Sequence, residues 1–93
     1  VSVTVLLPGV LAEVAGGSRR LRYDPAPTDI GALLDALAVD HPLLARRLRD
    51  ETGALRRHVN VYVDGEDVRG QQGLRTPLPM GAEIQVLPSV AGG

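Results

Sequence analysis

Four apolar residues constrain this chain more than any other feature. Ile30, Leu33, Leu34 and Leu37 recur at i, i+3, i+4 and i+7, a spacing that gathers side chains on one side of a helix. Thr28 stands at the expected N-cap, and Asp29 falls in the first turn, where a negative charge suits the helix dipole. Asp24-Pro25-Ala26-Pro27 reads as a stiff linker before the helix, and His41-Pro42 ends it. A helix with one apolar face needs an apolar surface to cover.

The flanking segments supply that surface. Val3, Val5 and Leu7 alternate with Ser2, Thr4 and Leu6, and Leu21 and Tyr23 alternate with Arg20 and Arg22. Val59, Val61 and Val63 alternate with His58, Asn60 and Tyr62, and Ile84 and Val86 with Glu83, Gln85 and Leu87. Period two reads as strands with one buried face. Asp64-Gly65 is a strong hairpin signal, and Glu66 to Arg69 reads as a short return strand. Pro8-Gly9 and Gly16-Gly17 punctuate the first hairpin, with Val10 to Ala15 read as loop or turn. Leu43, Leu44 and Leu48, mixed with Arg46, Arg47 and Arg49, read as a short second helical segment. Asp50 to Leu55 and Gly70 to Met80 read as connections. The expected class is α+β, a β-grasp: a mixed sheet of four to five strands with one main helix across it. Residues 1–87 form the domain and 88–93 a flexible C-terminal tail. The expected core is Val3, Val5, Leu7, Leu21, Ile30, Leu33, Leu34, Leu37, Val59, Val61, Val63, Ile84 and Val86.

Length and composition then exclude whole classes of function. A 9.8 kDa chain folds to about 5,200 Å² of surface from about 14,000 Å² extended, enough for one core without space for a large cofactor. The net charge of −1 gives no basis for wholesale binding to nucleic acid or to an acidic membrane. No apolar run is long enough to span a bilayer, and Val1 to Val5 does not read as a signal peptide, so a cytoplasmic location is expected. Cys is absent, which removes disulfides, thiolate metal sites and thiol nucleophiles within these residues. All ten basic side chains are Arg, so no Schiff-base or phosphate-loop lysine exists here. Arg without Lys, beside many Ala, Gly and Leu, suggests a GC-rich bacterial genome. Tyr23 and Tyr62 are the only aromatics, too few for a single-strand stacking platform.

The usual catalytic constellations are missing. His41 and His58 are the only imidazoles, and a zinc site would need both plus carboxylates. They read as surface or capping residues. Glu66 and Asp67 are adjacent in a strand, so they point to opposite faces and do not converge on one substrate. Gly65 to Gly70 lacks the Lys and the helix of a phosphate loop. Ser2, Ser18 and Ser89 stand in no nucleophile elbow. Arg19, Arg20 and Arg22 read as a solvated strand. The outer sheet face should carry Thr4, Leu6, Asn60, Tyr62, Gln85 and Leu87. Leu6, Tyr62 and Leu87 there form either a docking patch or a surface covered by the Val10 to Ala15 loop.

The C-terminus is the strongest signal. Six residues follow the expected last strand and can extend roughly 20 Å. They end in Gly92-Gly93, a thread without side chains and with an unhindered carboxylate.

Together with the strand before it, Ile84-Gln85-Val86-Leu87-Pro88-Ser89-Val90-Ala91-Gly92-Gly93 resembles the C-terminus of the ubiquitin-like sulfur carriers, the ThiS/MoaD family. His58 to Arg69 resembles a segment of the CysO-type members, as do Gly73-Leu74 and Met80 to Ile84. Leu87 stands where family members carry a bulky aromatic before the tail. The resemblance implies a non-enzymatic carrier with no bound cofactor. An adenylating enzyme of the ubiquitin-activating, MoeB/ThiF type would use ATP to activate the carboxylate of Gly93. A sulfur donor then converts it to a thiocarboxylate for a sulfur-accepting synthase. Gly92, Ala91 and Val90 would thread the partner's active site, and Leu87, Pro88, Leu6 and Tyr62 would dock it. With Gly93 last, charging without prior trimming is expected. The free carrier is expected to be monomeric, with no nucleic-acid or membrane partner. The acceptor pathway stays open among cysteine, molybdopterin, thiazole and natural products such as thiosugars. Two alternatives stand beside it: a ubiquitin-like modifier conjugated through Gly93, and a plain binding module.

Overall fold

The computed structural model describes residues 1–88. Strand β1 (Val3–Leu6) leads into a single helical turn, α1 (Gly9–Ala12), and a 3-10 turn over Glu13–Ala15. Strand β2 (Arg20–Tyr23) returns along β1. Helices α2 (Ile30–Asp40) and α3 (Pro42–Leu48) follow, then β3 (Val59–Val63), β4 (Glu66–Asp67), two 3-10 turns, and β5 (Glu83–Pro88).

The five strands form one sheet in the order β2-β1-β5-β3-β4. β5 is central and parallel to β1, with Val5 beside Ile84; every other pairing is antiparallel. This is the β-grasp arrangement expected from the sequence, with the last strand inserted between the first and the third. The Asp64-Gly65 turn joins β3 to β4 with both residues left-handed, φ 49° and 87°, the geometry that matches the twist of a two-residue hairpin.

Twelve of the thirteen expected core residues are buried. Leu21 is only half-buried, because β2 is an edge strand and its inward side chain meets the core from one side alone. The core also takes Leu11, Ala12, Ala15, Leu44, Leu48, Val68 and Ala82. Val10 to Ala15 is therefore helical and packed, not a loop, and it belongs to the helix side of the sheet.

The start of α2 differs by one residue from expectation. Asp29, not Thr28, is the N-cap: it is extended, and its Oδ1 accepts from the Ala32 N–H at 2.8 Å. The Ile30 N–H donates to the carbonyl of Thr76, which is itself buried, and the Leu78 N–H donates to the Thr28 carbonyl. The 70–80 connection is thus tied to the helix N-terminus. A Cβ on Gly31 would stand 3.3 Å from the Leu74 carbonyl oxygen, so glycine permits that close approach. The return strand after the hairpin is only two residues long; Val68 leaves it in a 3-10 turn that buries its side chain. β5 runs to Pro88, which pairs with Val59, so the sheet continues one residue past the expected boundary at Leu87.

Candidate functional site: the outer sheet face and the root of the tail

The residues expected to dock a partner lie on the face turned away from the helices. The strand register fixes their neighbours. Arg20, Leu6, Gln85, Tyr62 and Asp67 form one row across all five strands. Leu87 stands two residues further along β5, opposite Asn60. Leu6 and Tyr62 therefore flank Gln85 and are not adjacent, and Leu87 is diagonal to both, at a spacing of about 7–8 Å. The arrangement is an apolar triangle around a glutamine. Leu6 and Tyr62 are half-buried, and Leu87 is 42% exposed. Pro88 is half-buried at the end of β5. Because α1 packs into the core on the helix side, it does not cover this triangle.

Val90, Ala91, Gly92 and Gly93, the expected thread and reactive end, lie outside the described residues. The last described residue, Pro88, lies on the central strand, where it pairs with Val59 of β3, next to the Asn60–Leu87 pair.

One residue at this root does not stand out in the sequence. Arg69 reaches across the outer face, donating from Nη1 to Asn60 Oδ1 (3.1 Å) and from Nη2 to the Arg56 carbonyl (2.9 Å). Asp67 organises the turn that carries it, accepting from the Arg69 backbone N–H at 2.8 Å. Its only sequence signal is its place at the end of the His58 to Arg69 segment.

Other candidates are structural. His41 joins α2 to α3, donating its N–H to the Leu37 carbonyl and accepting from the Ala45 N–H. Among the described residues no cluster of His, Asp and Glu could hold a metal ion. A concavity of about 470 Å³ lies on the helix side between Asp35, Pro42, Arg49 and Gly53. Its arginine Arg49 is already engaged, with Nη1 on Asp35 and Nε on the Gly53 carbonyl, both at 2.7 Å. Asp50 at its rim is held below the usual carboxylate range, mainly by the hydroxyl and backbone N–H of Thr52. No buried side-chain polar atom among the described residues lacks a partner. The described residues thus place Leu6, Tyr62 and Leu87 on one face of the sheet, with Pro88 at the end of its central strand.

Comparison with known proteins bears on the same features. The ThiS family profile matches residues 5–93. The sulfur carrier protein CysO of Mycobacterium tuberculosis is 36% identical over 94 residues, covering 99% of each chain. Small archaeal modifier protein 1 of Haloferax volcanii is 39% identical over 84 residues, covering 89% of this chain and 91% of that one. Among solved structures, SAMP1 from Haloferax volcanii superposes with a TM-score of 0.82 at 37% identity over the whole of both chains. A chain of the Amycolatopsis orientalis BexX/CysO complex gives 0.81 at 34% identity, covering 98% of this chain and 99% of that one.

Proposed function

This chain belongs to the ThiS family, and on that premise we propose that it carries sulfur as a thiocarboxylate on Gly93. The observation that carries the reading is the Gly92-Gly93 pair, which follows the central strand β5 in the sequence after only Ser89, Val90 and Ala91, in a chain that the family profile matches through residue 93. A carboxylate is a poor electrophile until one oxygen becomes part of a good leaving group. In the reading proposed here, the Gly93 carboxylate attacks the α-phosphorus of ATP and releases pyrophosphate. Sulfide then attacks the acyl carbon, AMP leaves with the carboxylate oxygen, and the thiocarboxylate remains. Catalysis belongs to the partners, and the relatives named above are carriers and modifiers. The carrier supplies a rigid docking face, through Leu87, Pro88, Leu6 and Tyr62, and the thread Val90 to Gly93.

In Amycolatopsis orientalis a similar CysO chain is seen in complex with BexX. That complex supports a second partner for this chain, one that binds the charged carrier and takes its sulfur. The acceptor pathway stays open among cysteine, molybdopterin, thiazole and natural products such as thiosugars. A modifier role is favoured by a separate observation, the 39% identity to small archaeal modifier protein 1. Both roles begin with the same adenylate and diverge only at the nucleophile.

The test is intact-protein mass spectrometry after incubation with a MoeB-type adenylating enzyme, ATP and sulfide. The expected result is a gain equal to one oxygen-to-sulfur exchange, localised to Gly93. It should vanish when Gly92 and Gly93 are deleted, with the thermal melt unchanged. Adducts to target lysines in extract, without thiocarboxylate, would establish the modifier instead. Neither product, with the cognate adenylating enzyme present, would leave a binding module.

A further inference from the structure

The charges that gather at the two ends of β3 differ in sign. At the end of β3 and β5 away from the tail stand Asp64, Glu66 and Glu83; Asp64 Oδ1 accepts from the Glu83 N–H at 2.9 Å, and Glu66 accepts from Gln71. At the end where the tail leaves stand Arg56, Arg57, His58 and Arg69. Arg57 and His58 lie in the turn that enters β3, whose first residue, Val59, pairs with Pro88. The two ends are separated by the length of β3, about 13 Å at roughly 3.3 Å per residue. That exceeds the screening length of about 8 Å at physiological salt, so the ends do not neutralise each other.

Two of the cations at that end, Arg56 and Arg69, are also held in place. Arg56 Nε donates to the Arg46 carbonyl at 2.9 Å, and the Arg56 carbonyl in turn accepts from Arg69. Arg69 is thereby fixed over Asn60, next to Leu87, by two acceptors that are both neutral. The ion pairs among the described residues involve Arg22, Arg49 and the terminal amine. Arg57 and Arg69 are in none of them, and both are exposed. A positioned guanidinium whose hydrogen bonds go to neutral groups keeps its charge for something outside the molecule.

We propose that Arg57 and Arg69, backed by Arg56, form a cationic collar at the root of the tail, and that the adenylating enzyme meets it with acidic side chains around the mouth of the channel that takes the tail. This rests on the carrier reading. The occupant is a protein surface and not the nucleotide because of reach. Five residues follow Pro88 and span up to about 16 Å, so a collar at the root faces the entrance while Gly93 reaches the ATP. Rim charges of this kind act mainly on encounter and register, which makes them salt-sensitive. The acidic end, repelled by the same surface, would set which way round the carrier docks.

The experiment is steady-state pyrophosphate release by a MoeB-type adenylating enzyme, with full-length carrier as the varied substrate, at low and at physiological salt. Wild-type carrier should show a KM that rises with salt. The Arg57→Glu, Arg69→Glu pair should raise KM about tenfold at low salt, leave kcat unchanged and flatten the salt dependence. Arg57→Glu alone breaks no side-chain hydrogen bond among the described residues, so its smaller effect in the same direction guards against a folding artefact; Arg69→Lys should recover most of the affinity. Arg75→Glu, in the 3-10 turn that packs against α2, makes the same change in net charge as Arg57→Glu and should have no effect. A KM and salt dependence equal to wild type in the Arg57 and Arg69 variants overturns the collar, as does an equal loss in Arg75→Glu. If wild-type carrier releases no pyrophosphate even with its cognate enzyme, the carrier reading itself falls, and the collar with it.

Discussion

Val5, Ile84 and Val63 lie in one row across β1, β5 and β3, and all are buried, the first two at 1% exposure or less. One residue along the same strands, in the same register, Leu6, Gln85 and Tyr62 form a row on the opposite face, half-buried at its two ends and exposed at Gln85. A shift of one residue moves a side chain from the core to the outer face, where the proposed docking residues stand. The two rows share a backbone but not a task. Substitutions on the inner row should be read in stability, and those on the outer row in association.

The largest effect that keeps to one side of this division is expected at Leu37, which is fully buried on α2. Leu37→Ala should cost about 2–5 kcal/mol of unfolding free energy, from lost transfer energy plus the cavity left behind. Small domains commonly have only about 5–15 kcal/mol in total. Denaturant unfolding should therefore show a large fall in midpoint, while carrier that remains folded should still be adenylated with a normal KM. A KM that rises in the folded fraction would mean that the two faces are coupled.

Leu87→Glu should do the opposite. The residue is 42% exposed and is one corner of the apolar triangle. Loss of an anchor at a docking centre, together with a buried charge, should weaken binding to the adenylating enzyme by about tenfold or more, at a cost of roughly 1–3 kcal/mol of association energy. Its melting temperature should move little, because no core contact is lost. Unchanged affinity by titration calorimetry would move the interface off this face.

The same division explains what is legible in the sequence. The inner rows announce themselves by period two and α2 by its 3.6 spacing, because in both cases one side of a regular element is apolar. Leu11, Ala12 and Ala15 escape because α1 is a single turn followed by a 3-10 turn, too short to display a period. Leu44 and Leu48 read as a short helix but not as core, since Arg46, Arg47 and Arg49 crowd the same stretch. Leu21 shows the limit of alternation: its pattern is right, but the pattern does not reveal that its strand is at the edge. On the outer face, parity places the candidates Leu6, Tyr62 and Leu87 correctly. Their arrangement around Gln85 is not readable, because it depends on β5 inserting between β1 and β3. Arg69 is invisible for a related reason, since its partner Asn60 is nine residues away and is reached only through the hairpin.

The rim of the inner face gives the smallest and most specific effect. Tyr23 ends the edge strand β2, packs against the core, and donates its hydroxyl to Asp40 Oδ2 at the end of α2, at a long 3.4 Å. Its pKa is pushed up to about 12, first by burial, then by the charge of Asp40 and by that hydrogen bond. All three favour the neutral phenol in the folded state. The folded protein therefore binds this proton more tightly than the unfolded chain, whose tyrosine titrates near pH 10. Linkage then fixes the sign: the stabilisation is fully present below about pH 10 and is lost as the pH rises from there through about 12. Tyr23→Phe should change stability little at neutral pH, because a long, partly exposed bond contributes little. It should remove part of the fall in stability over that alkaline window. Asp40→Asn should lower the Tyr23 titration midpoint, seen as phenolate absorbance, without bringing it back to the value of a free tyrosine, since burial is the larger cause. A full return would make the carboxylate the dominant influence and would place Tyr23 with the open rows of the sheet, not with the packed ones.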